Sequence, residues 1–390
     1  MNKYQEQNAL IELSEKNNIP FSLILKEKGW SYNDLVYHNS LSKKHPINTP
    51  VILDDFKLKE NDIPVVSFFS GCGGLDLGFE AAGFSHICCF ELNELFCKTI
   101  RKNRKWKVYG PPFASGDVSN TEEVAGLLKK EVPSNFDGVF IGGPPCQPFS
   151  IAANQRFSKN GNNFKRVGFS HEKNGNLFFD YVNLINLFKP KVFLIENVPG
   201  LKEIDGGKQL KEALDGLKSS GYNFIEHYKV DASDYCVPQQ RIRLIIIGVR
   251  DHGSFSLPAP SGKKISCSTA LLGVNEKALQ NNETRMHNAA SVKRYAELDY
   301  GQRDQLGRVD RLDPTIPSKT VIAGGTNGGG RSHLHPEIPR TLSVRECARL
   351  QSFPDDYIFV GPTARQFTQV GNAVPPILAA QIATAILKIF

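Results

Sequence analysis

The sequence predicts an α/β fold, preceded by a short helical extension and interrupted near its end by an irregular segment. Three observations carry the prediction. Val139-Phe140-Ile141 and Val192-Phe193-Leu194-Ile195 are short continuous apolar runs, the pattern of buried strands. Between them, Leu177–Phe188 has the length and apolarity of a packed helix. Earlier in the chain, Ile63-Pro64-Val65-Val66-Ser67-Phe68-Phe69 reads as a strand and Ser70-Gly71-Cys72-Gly73-Gly74 as a tight turn. Leu75, Leu77, Phe79 and Ala82 then open a helix. Strand, glycine turn and helix in that order is the unit from which open parallel sheets are wound.

Bulk composition sets outer bounds. A chain of 390 residues has room for two or three domains. With 40% hydrophobic and 22% charged residues, it has the make-up of a globular protein with a sizeable core. A net charge of +7 permits a polyanionic partner without requiring one. The stretch MNKYQEQNALIE has no apolar core of a signal peptide, and no apolar run is expected to span a bilayer. The eight cysteines include no CxxC pair and no Cys/His cluster at zinc spacing. No metal site is expected, and a reducing cytoplasm is the expected compartment.

Residues 1–62 read as a separate extension. Ala9, Leu10, Ile11 and Leu13, then Phe21, Leu23, Ile24 and Leu25, mark two helices split by Asn17-Asn18-Ile19-Pro20. Gly29 ends the second. Ser31-Tyr32-Asn33-Asp34 pairs a capping residue with an acid three positions on. Short helices broken in this way form either a packed extension or a helix-turn-helix. His45-Pro46-Ile47-Asn48-Thr49-Pro50 reads as a linker.

In the glycine turn that follows, backbone N–H groups approach a ligand closely and the helix N-terminus favours negative charge. That arrangement holds a nucleotide-type cofactor, although the spacing departs from the full dinucleotide fingerprint. The next strand, 86–90, ends in Glu91, about 20 residues past the turn, where an acid accepts hydrogen bonds from ribose hydroxyls. Asp117 stands where the third strand is expected to end, placed to accept from an adenine amino group.

The stretch 138–150, GVFIGGPPCQPFS, organises the rest. Two glycines turn the chain after the strand, two prolines stiffen it, and Cys146 follows. Open α/β sheets place their chemistry at that edge, and an ionised thiol there is a strong nucleophile. Segment 151–176 carries Arg156, Lys159, Lys165, Arg166 and Lys173 against Glu172 alone. So long a polar loop in a compact domain is functional or disordered. The strand 192–195 delivers Glu196, a carboxylate at the mouth of the sheet and a candidate for a second catalytic group. Arg241 and Arg243 occupy alternate positions of a strand and are expected to project to one face, where they serve an anion. From 252 to 340 the sheet pattern is lost. Pro258, Pro260 and Pro314 interrupt it, 324–330 is a glycine loop, and 12 Lys/Arg outnumber 8 Asp/Glu. Glycine allows close approach to a sugar–phosphate backbone, and Arg331 is placed to reach a guanine edge.

Pro145-Cys146-Gln147 after a strand resembles the catalytic motif of the cytosine-5 DNA methyltransferases. Further motifs come in that family's order: Phe69 to Gly74, Glu91, Asp117, Glu196-Asn197-Val198, Gln239-x-Arg241-x-Arg243, Arg345-Glu346-Cys347 and Gln369-Val370-Gly371-Asn372. Together they cover about residues 63 to 390 and leave 1–62 outside. The resemblance implies a Rossmann-like S-adenosylmethionine-dependent methyltransferase core with a mixed, mostly parallel sheet, of the prokaryotic modification type. It divides the chain into a helical N-terminal extension (1–62), a catalytic and cofactor-binding domain (63–252), a target-recognition domain (253–340) and a return to the catalytic domain (341–390). The implied cofactor pocket comprises Phe69, Ser70, Gly71, Gly73, Gly74, Glu91, Leu92, Asp117, Val118, Pro145, Asn372 and Ala373. Leu92 stands where members often carry an aromatic. The implied catalytic residues are Cys146, Glu196, Arg241 and Arg243, and Lys165, Arg166 and Arg331 are the implied DNA contacts.

The implied function is methyl transfer from S-adenosylmethionine to carbon 5 of a flipped cytosine in a specific site of double-stranded DNA, through a covalent Cys146 adduct. The enzyme is expected to be a cytoplasmic, nucleoid-associated monomer. It would belong to a restriction–modification system whose restriction endonuclease acts independently. Two alternatives stay open. One is an RNA cytosine-5 methyltransferase on the same core, although the Cys-Phe-Thr segment of members acting on transfer RNA is missing. The other is a catalytically silent DNA-binding regulator, against which Cys146, Glu196 and both arginines stand.

Overall fold

The structure is a computed structural model that describes residues 2–39, 49–145, 177–251, 253–323 and 333–390, apart from the side chains of Ile204 and Asp205. Cys146, Lys165, Arg166, Arg331 and the glycine loop 324–330 lie outside the described residues. The chain divides into two compact units. One is Leu53–Tyr235 with Arg241–Pro260 and Val374–Phe390. The other is Met1–Ile52 with Cys236–Gln240 and Ser261–Ala373.

The first unit is built on a seven-stranded sheet. Its strands are β1 (Pro64–Phe68), β2 (Ser85–Phe90), β3 (Val108–Tyr109), β4 (Val139–Gly142), β5 (Val192–Asn197), β6 (Phe224–Asp231) and β7 (Ile242–Val249), in the order β3-β2-β1-β4-β5-β7-β6. Strands β1 to β5 pair in parallel, and β7 runs antiparallel to both β5 and β6. The sheet is therefore mixed and mostly parallel, as expected. Alternate residues Val66, Phe68, Phe140, Phe193 and Ile195 pack with the helices Thr121–Glu131, Leu177–Phe188 and Lys208–Ser219. Val65, Ile141 and Leu194, on the other face, are equally buried. Burial of both faces is why these strands read as continuous apolar runs.

The helix Gly74–Ala81 packs against Pro376–Leu387 so closely that a Cβ on Gly78 would lie 2.3 Å from that of Ala379. Taken as one stretch, Thr363–Leu387 has the length and hydropathy to cross a membrane by composition alone. It is two helices, Thr363–Asn372 and Pro376–Leu387, and most of it is buried. After β3 the chain crosses back past β1 to enter β4. The sheet thus reverses its winding between β1 and β4, the place where open α/β sheets bind ligands.

The second unit carries a small sheet of β8 (Arg303–Asp304), β9 (Val309–Arg311) and β10 (His333–Leu334), ordered β10-β9-β8. The N-terminal helices Lys3–Asn17 and Phe21–Lys28 form as the sequence indicates. Asn2 and Gln5 close a capping box on the first. Gly29 ends the second in the left-handed conformation (φ 74°), and Ser31 with Asp34 caps the short turn Tyr32–Asp34.

The two units divide the chain differently from the expected segments. The N-terminal helices share a core with the second unit, because Ile11, Phe21, Leu25, Tyr32 and Leu35 bury against Ala289 and Val292. Segment 341–373 also belongs to this unit, and the return to the sheet unit begins at Val374. The cause is polar pairing: Arg345 Nε donates to the Gln280 carbonyl, and Gln239 Nε2 donates to Gln351 Oε1.

Candidate active site

Two loops leave the reversal point of the sheet, one after β1 and one after β4. After β1, Phe69 (φ 53°), Gly71 (φ 59°) and Gly73 (φ 84°) all take left-handed conformations. That conformation is strained for Phe69, whose ring packs edge-on to Tyr181 at 6.1 Å. The Ser67 and Ser70 hydroxyls pair at 2.8 Å, and the Ser70 N–H donates to the Phe90 carbonyl, tying the turn to the end of β2. Gly73, at the cap of the helix starting at Gly74, has no side chain to cap it.

Glu91, just past β2, faces this turn. Its Oε2 accepts from the Gly71 N–H and its Oε1 from the Asn93 N–H, each at 2.7 Å. Burial pushes its carboxyl up to about 7, with the Asp76 charge adding to the rise. The two N–H donors only partly offset this. Asp76 itself is buried, its Oδ1 3.3 Å from His86 Nε2 and 3.5 Å from Cys89 Sγ.

Asp117 does not end the third strand. That strand is only Val108–Tyr109, and the loop behind it carries the chain back to Glu91. A Cβ on Gly110 or on Gly116 would lie 2.2 Å from the Glu91 carbonyl oxygen, so both backbones press against it. Asp117 therefore reaches the same edge by a loop. Its Oδ1 accepts the Ser119 N–H at 3.0 Å and the Ser119 hydroxyl at 2.7 Å. Val118 turns into the core with Val66 and Phe90. Leu92 is 57% exposed at the edge.

After β4, the chain runs through Gly143, Pro144 and Pro145 to the last described residue before Cys146. Two residues at the end of β5 grip this approach. Asn197 Nδ2 donates to the Pro144 carbonyl at 3.3 Å. A Cβ on Gly143 would lie 3.1 Å from Glu196 Oε2, so the carboxylate rests against the loop three residues before Cys146. Across the antiparallel β5–β7 pair, Arg243 Nε lies 2.7 Å from Glu196 Oε1, with both side chains mostly buried. Arg241 is not on the strand, which starts at Ile242. Its side chain is buried, its N–H donates to Asp231 Oδ1, and its carbonyl accepts from Ala232.

The sheet unit thus assembles Phe69, Ser70, Gly71, Gly73, Gly74, Glu91, Leu92, Asp117, Pro145, Glu196 and Arg243 along one edge. Asn372 and Ala373 lie in the other unit, at the end of the helix Thr363–Asn372. Sequence reasoning gave no role to Asp76 or Asp180. Asp180 sits on the helix Leu177–Phe188, where burial and then the neighbouring Asp117 push its carboxyl up to about 6. Its one signal was an acid alone in an apolar helix.

Residues 63–388 match the family model described as C-5 cytosine-specific DNA methylase. The chain is 32% identical over 365 residues to Type II methyltransferase M.NgoFVII of Neisseria gonorrhoeae, covering 87% of this chain and 90% of that protein. It is 32% identical to Type II methyltransferase M1.HphI of Haemophilus parahaemolyticus, covering 83% and 86%. Among solved structures it resembles a DNA modification methyltransferase encoded within an Escherichia coli prophage. That match has a TM-score of 0.69 and 27% identity, covering 84% of this chain and 99% of the other. A carboxylate-and-glycine cradle beside an arginine-held glutamate, on a sheet of this winding, accords with these matches: the chain belongs to the C-5 cytosine-specific DNA methylase family and is a DNA (cytosine-5-)-methyltransferase.

Proposed function

We propose that the chain methylates carbon 5 of a cytosine in one specific site of double-stranded DNA, with S-adenosylmethionine as donor and Cys146 as covalent nucleophile. It acts as a monomer on cellular DNA in the cytoplasm and protects that site from an independently acting restriction endonuclease. The observation that carries the reading is Glu196, pressed against the loop that leads to Cys146 and held by Arg243 at 2.7 Å.

The glycine turn suits a nucleoside carrying a positive sulfonium. It offers a buried carboxylate, left-handed glycines that admit close approach, and an uncapped helix start. Glu91 accepts from ribose hydroxyls through its remaining lone pairs, Asp117 accepts from the adenine amino group, and Leu92 offers an apolar surface to the ring. When bound, the cofactor supplies an electrophilic methyl group.

The protein's own residues do the rest. Cys146 adds as a thiolate to carbon 6 of the cytosine, which makes carbon 5 nucleophilic. Glu196 hydrogen-bonds or protonates ring nitrogen 3 and stabilises the charge that develops there. Arg243 fixes the carboxylate so that it needs no reorientation during the reaction. Once carbon 5 is methylated, loss of its proton expels Cys146 and restores aromaticity. A base inside the stack is out of reach of such a pocket, so the cytosine is flipped out. Lys165 and Arg166 serve the phosphates and Arg331 a base edge.

Bisulfite sequencing of DNA from cells expressing the chain tests this, with Cys146→Ser as control. One methylated motif, lost in the control, is expected. Methyl transfer to transfer RNA and not to duplex DNA would favour the RNA alternative, and specific DNA binding without methylation would favour the silent regulator.

A further inference from the structure

The N-terminal extension sits in the unit that contains 261–373, and three of its residues past the helices, Asn33, Tyr37 and Asn39, meet two buried arginines. Arg311 ends β9 and pairs in register with Leu334 of β10. Its guanidinium is buried with no carboxylate within ion-pair distance among the described residues. It lies between two rings, 3.5 Å from the Tyr37 centroid and 4.0 Å from that of Tyr300. Its Nη1 donates to Asn39 Oδ1 at 2.7 Å, and the Tyr37 hydroxyl donates to the His335 carbonyl just past β10 at 2.8 Å. Arg340 makes two bonds to the buried Glu346, and its Nε donates to Asn33 Oδ1 at 2.7 Å. The extension thus holds both ends of the segment from β10 to the helix Val344–Leu350.

A buried cation needs an oxygen or a π face on every side it presents. Tyr37 supplies one whole face of Arg311 and is itself only 1% exposed, so it cannot touch DNA. Removing it acts on DNA indirectly, through Arg311, the His335 carbonyl and the strands beside them.

We propose that residues 2–39 are a positioning element for DNA site recognition. Tyr37, Asn39 and Asn33 hold Arg311 and Arg340, and through them they set the frame of β9 and β10. The inference rests on the reading that 253–340 recognises the DNA site. The extension then governs discrimination between sites and the Michaelis constant for DNA, while the covalent steps and the cofactor contacts of the glycine turn, Glu91 and Asp117, which lie in the sheet unit, do not depend on it.

The test uses the full chain and three measurements: methylation profiling on a randomised duplex library, kcat and KM on the preferred duplex, and cofactor calorimetry. Tyr37→Ala should lower discrimination against single-base-pair changes about tenfold and raise KM for DNA about tenfold, the loss expected when a desolvated cation loses an aromatic face. Its kcat and cofactor affinity should stay within about threefold of the parent. Tyr37→Phe keeps the ring and should restore both DNA parameters to within about threefold. Should Tyr37→Ala fail to fold, Asn39→Ala carries the same test with an effect of about fivefold. Unchanged discrimination and KM in the folded variants would overturn the proposal. So would a loss of cofactor affinity in step with DNA affinity, which would mark a general folding role. Exchange of 253–340 for the matching segment of a relative separates the two readings. If the exchange leaves the methylated site unchanged, the recognition reading fails. If it changes the site while the Tyr37 and Asn39 variants keep full discrimination, only the positioning role fails.

Discussion

Glu91 and Glu346 are both buried carboxylates, yet their surroundings drive them in opposite directions. Burial alone would raise both. Around Glu91 the compensation comes from the backbone N–H groups of Asn93, Gly71 and Leu92, and its carboxyl is pushed up to about 7. Around Glu346, Arg340 answers burial with a full charge and two hydrogen bonds of 2.7 and 2.9 Å, and the carboxyl is held down to about 2. The Glu346 pair is complete and serves structure. Glu91 is met by backbone N–H groups and by no full positive charge among the described residues, which leaves its oxygens open to hydroxyl donors. The difference teaches that burial does not mark a functional carboxylate; the partner set does.

The pH dependences follow with opposite signs. The depressed Glu346 contributes stability that is present above the ordinary carboxylate value of 4.5 and is lost as pH falls through about 2. The raised Glu91 makes stability fall as pH rises from 4.5 through about 7, because the unfolded chain releases a proton that the folded chain still holds.

The largest effect should come from Glu346→Gln, which strands Arg340 as a buried unpaired cation. A stability loss of about 3–5 kcal/mol is expected in chemical denaturation. Glu91→Gln should cost well under that, and an equal loss in both would break the contrast. Next in size, Glu91→Ala and Asp117→Ala should each weaken S-adenosylmethionine binding by about 1–3 kcal/mol in calorimetry and leave duplex DNA affinity in place. Unchanged cofactor affinity in both would move the pocket elsewhere. A smaller effect is the pH profile of cofactor affinity. Binding to the ionised Glu91 should strengthen as pH rises through about 7, and Glu91→Gln should flatten that profile. The smallest is Asp76→Asn, which removes a like charge and should lower the midpoint of the profile by less than about one unit. A midpoint that rises instead would show that Asp76 does not act on Glu91 through its charge.

The parts of this account that were legible in the sequence are those set by local pattern. Parallel strands buried on both faces leave continuous apolar runs, so β1, β4 and β5 and the helix Leu177–Phe188 fell where the sequence placed them. Glu91 was legible because its distance from the glycine turn follows from one strand–turn–helix–strand unit. What the sequence hid depends on contacts distant along the chain. Arg243 meets Glu196 only through the antiparallel register of β5 and β7, and Arg241 lies just before the strand rather than on it. Asp117 reaches its edge by a loop behind a two-residue strand too short to announce itself. The N-terminal extension looked separate because its partners, Arg311 and Arg340, lie about three hundred residues away, at Asn39 and Asn33.

The central claim is that Cys146 attacks the cytosine ring. Its most direct test is incubation of the chain and S-adenosylmethionine with duplex DNA carrying 5-fluorocytosine at the methylated position, followed by peptide mapping of the covalent complex. Fluorine at carbon 5 cannot leave as a proton does, so the adduct should accumulate and the modified peptide should contain Cys146. Cys146→Ser should abolish both adduct and turnover, since a serine hydroxyl is far less ionised. An adduct on any other residue, or turnover that survives Cys146→Ser, would contradict the account.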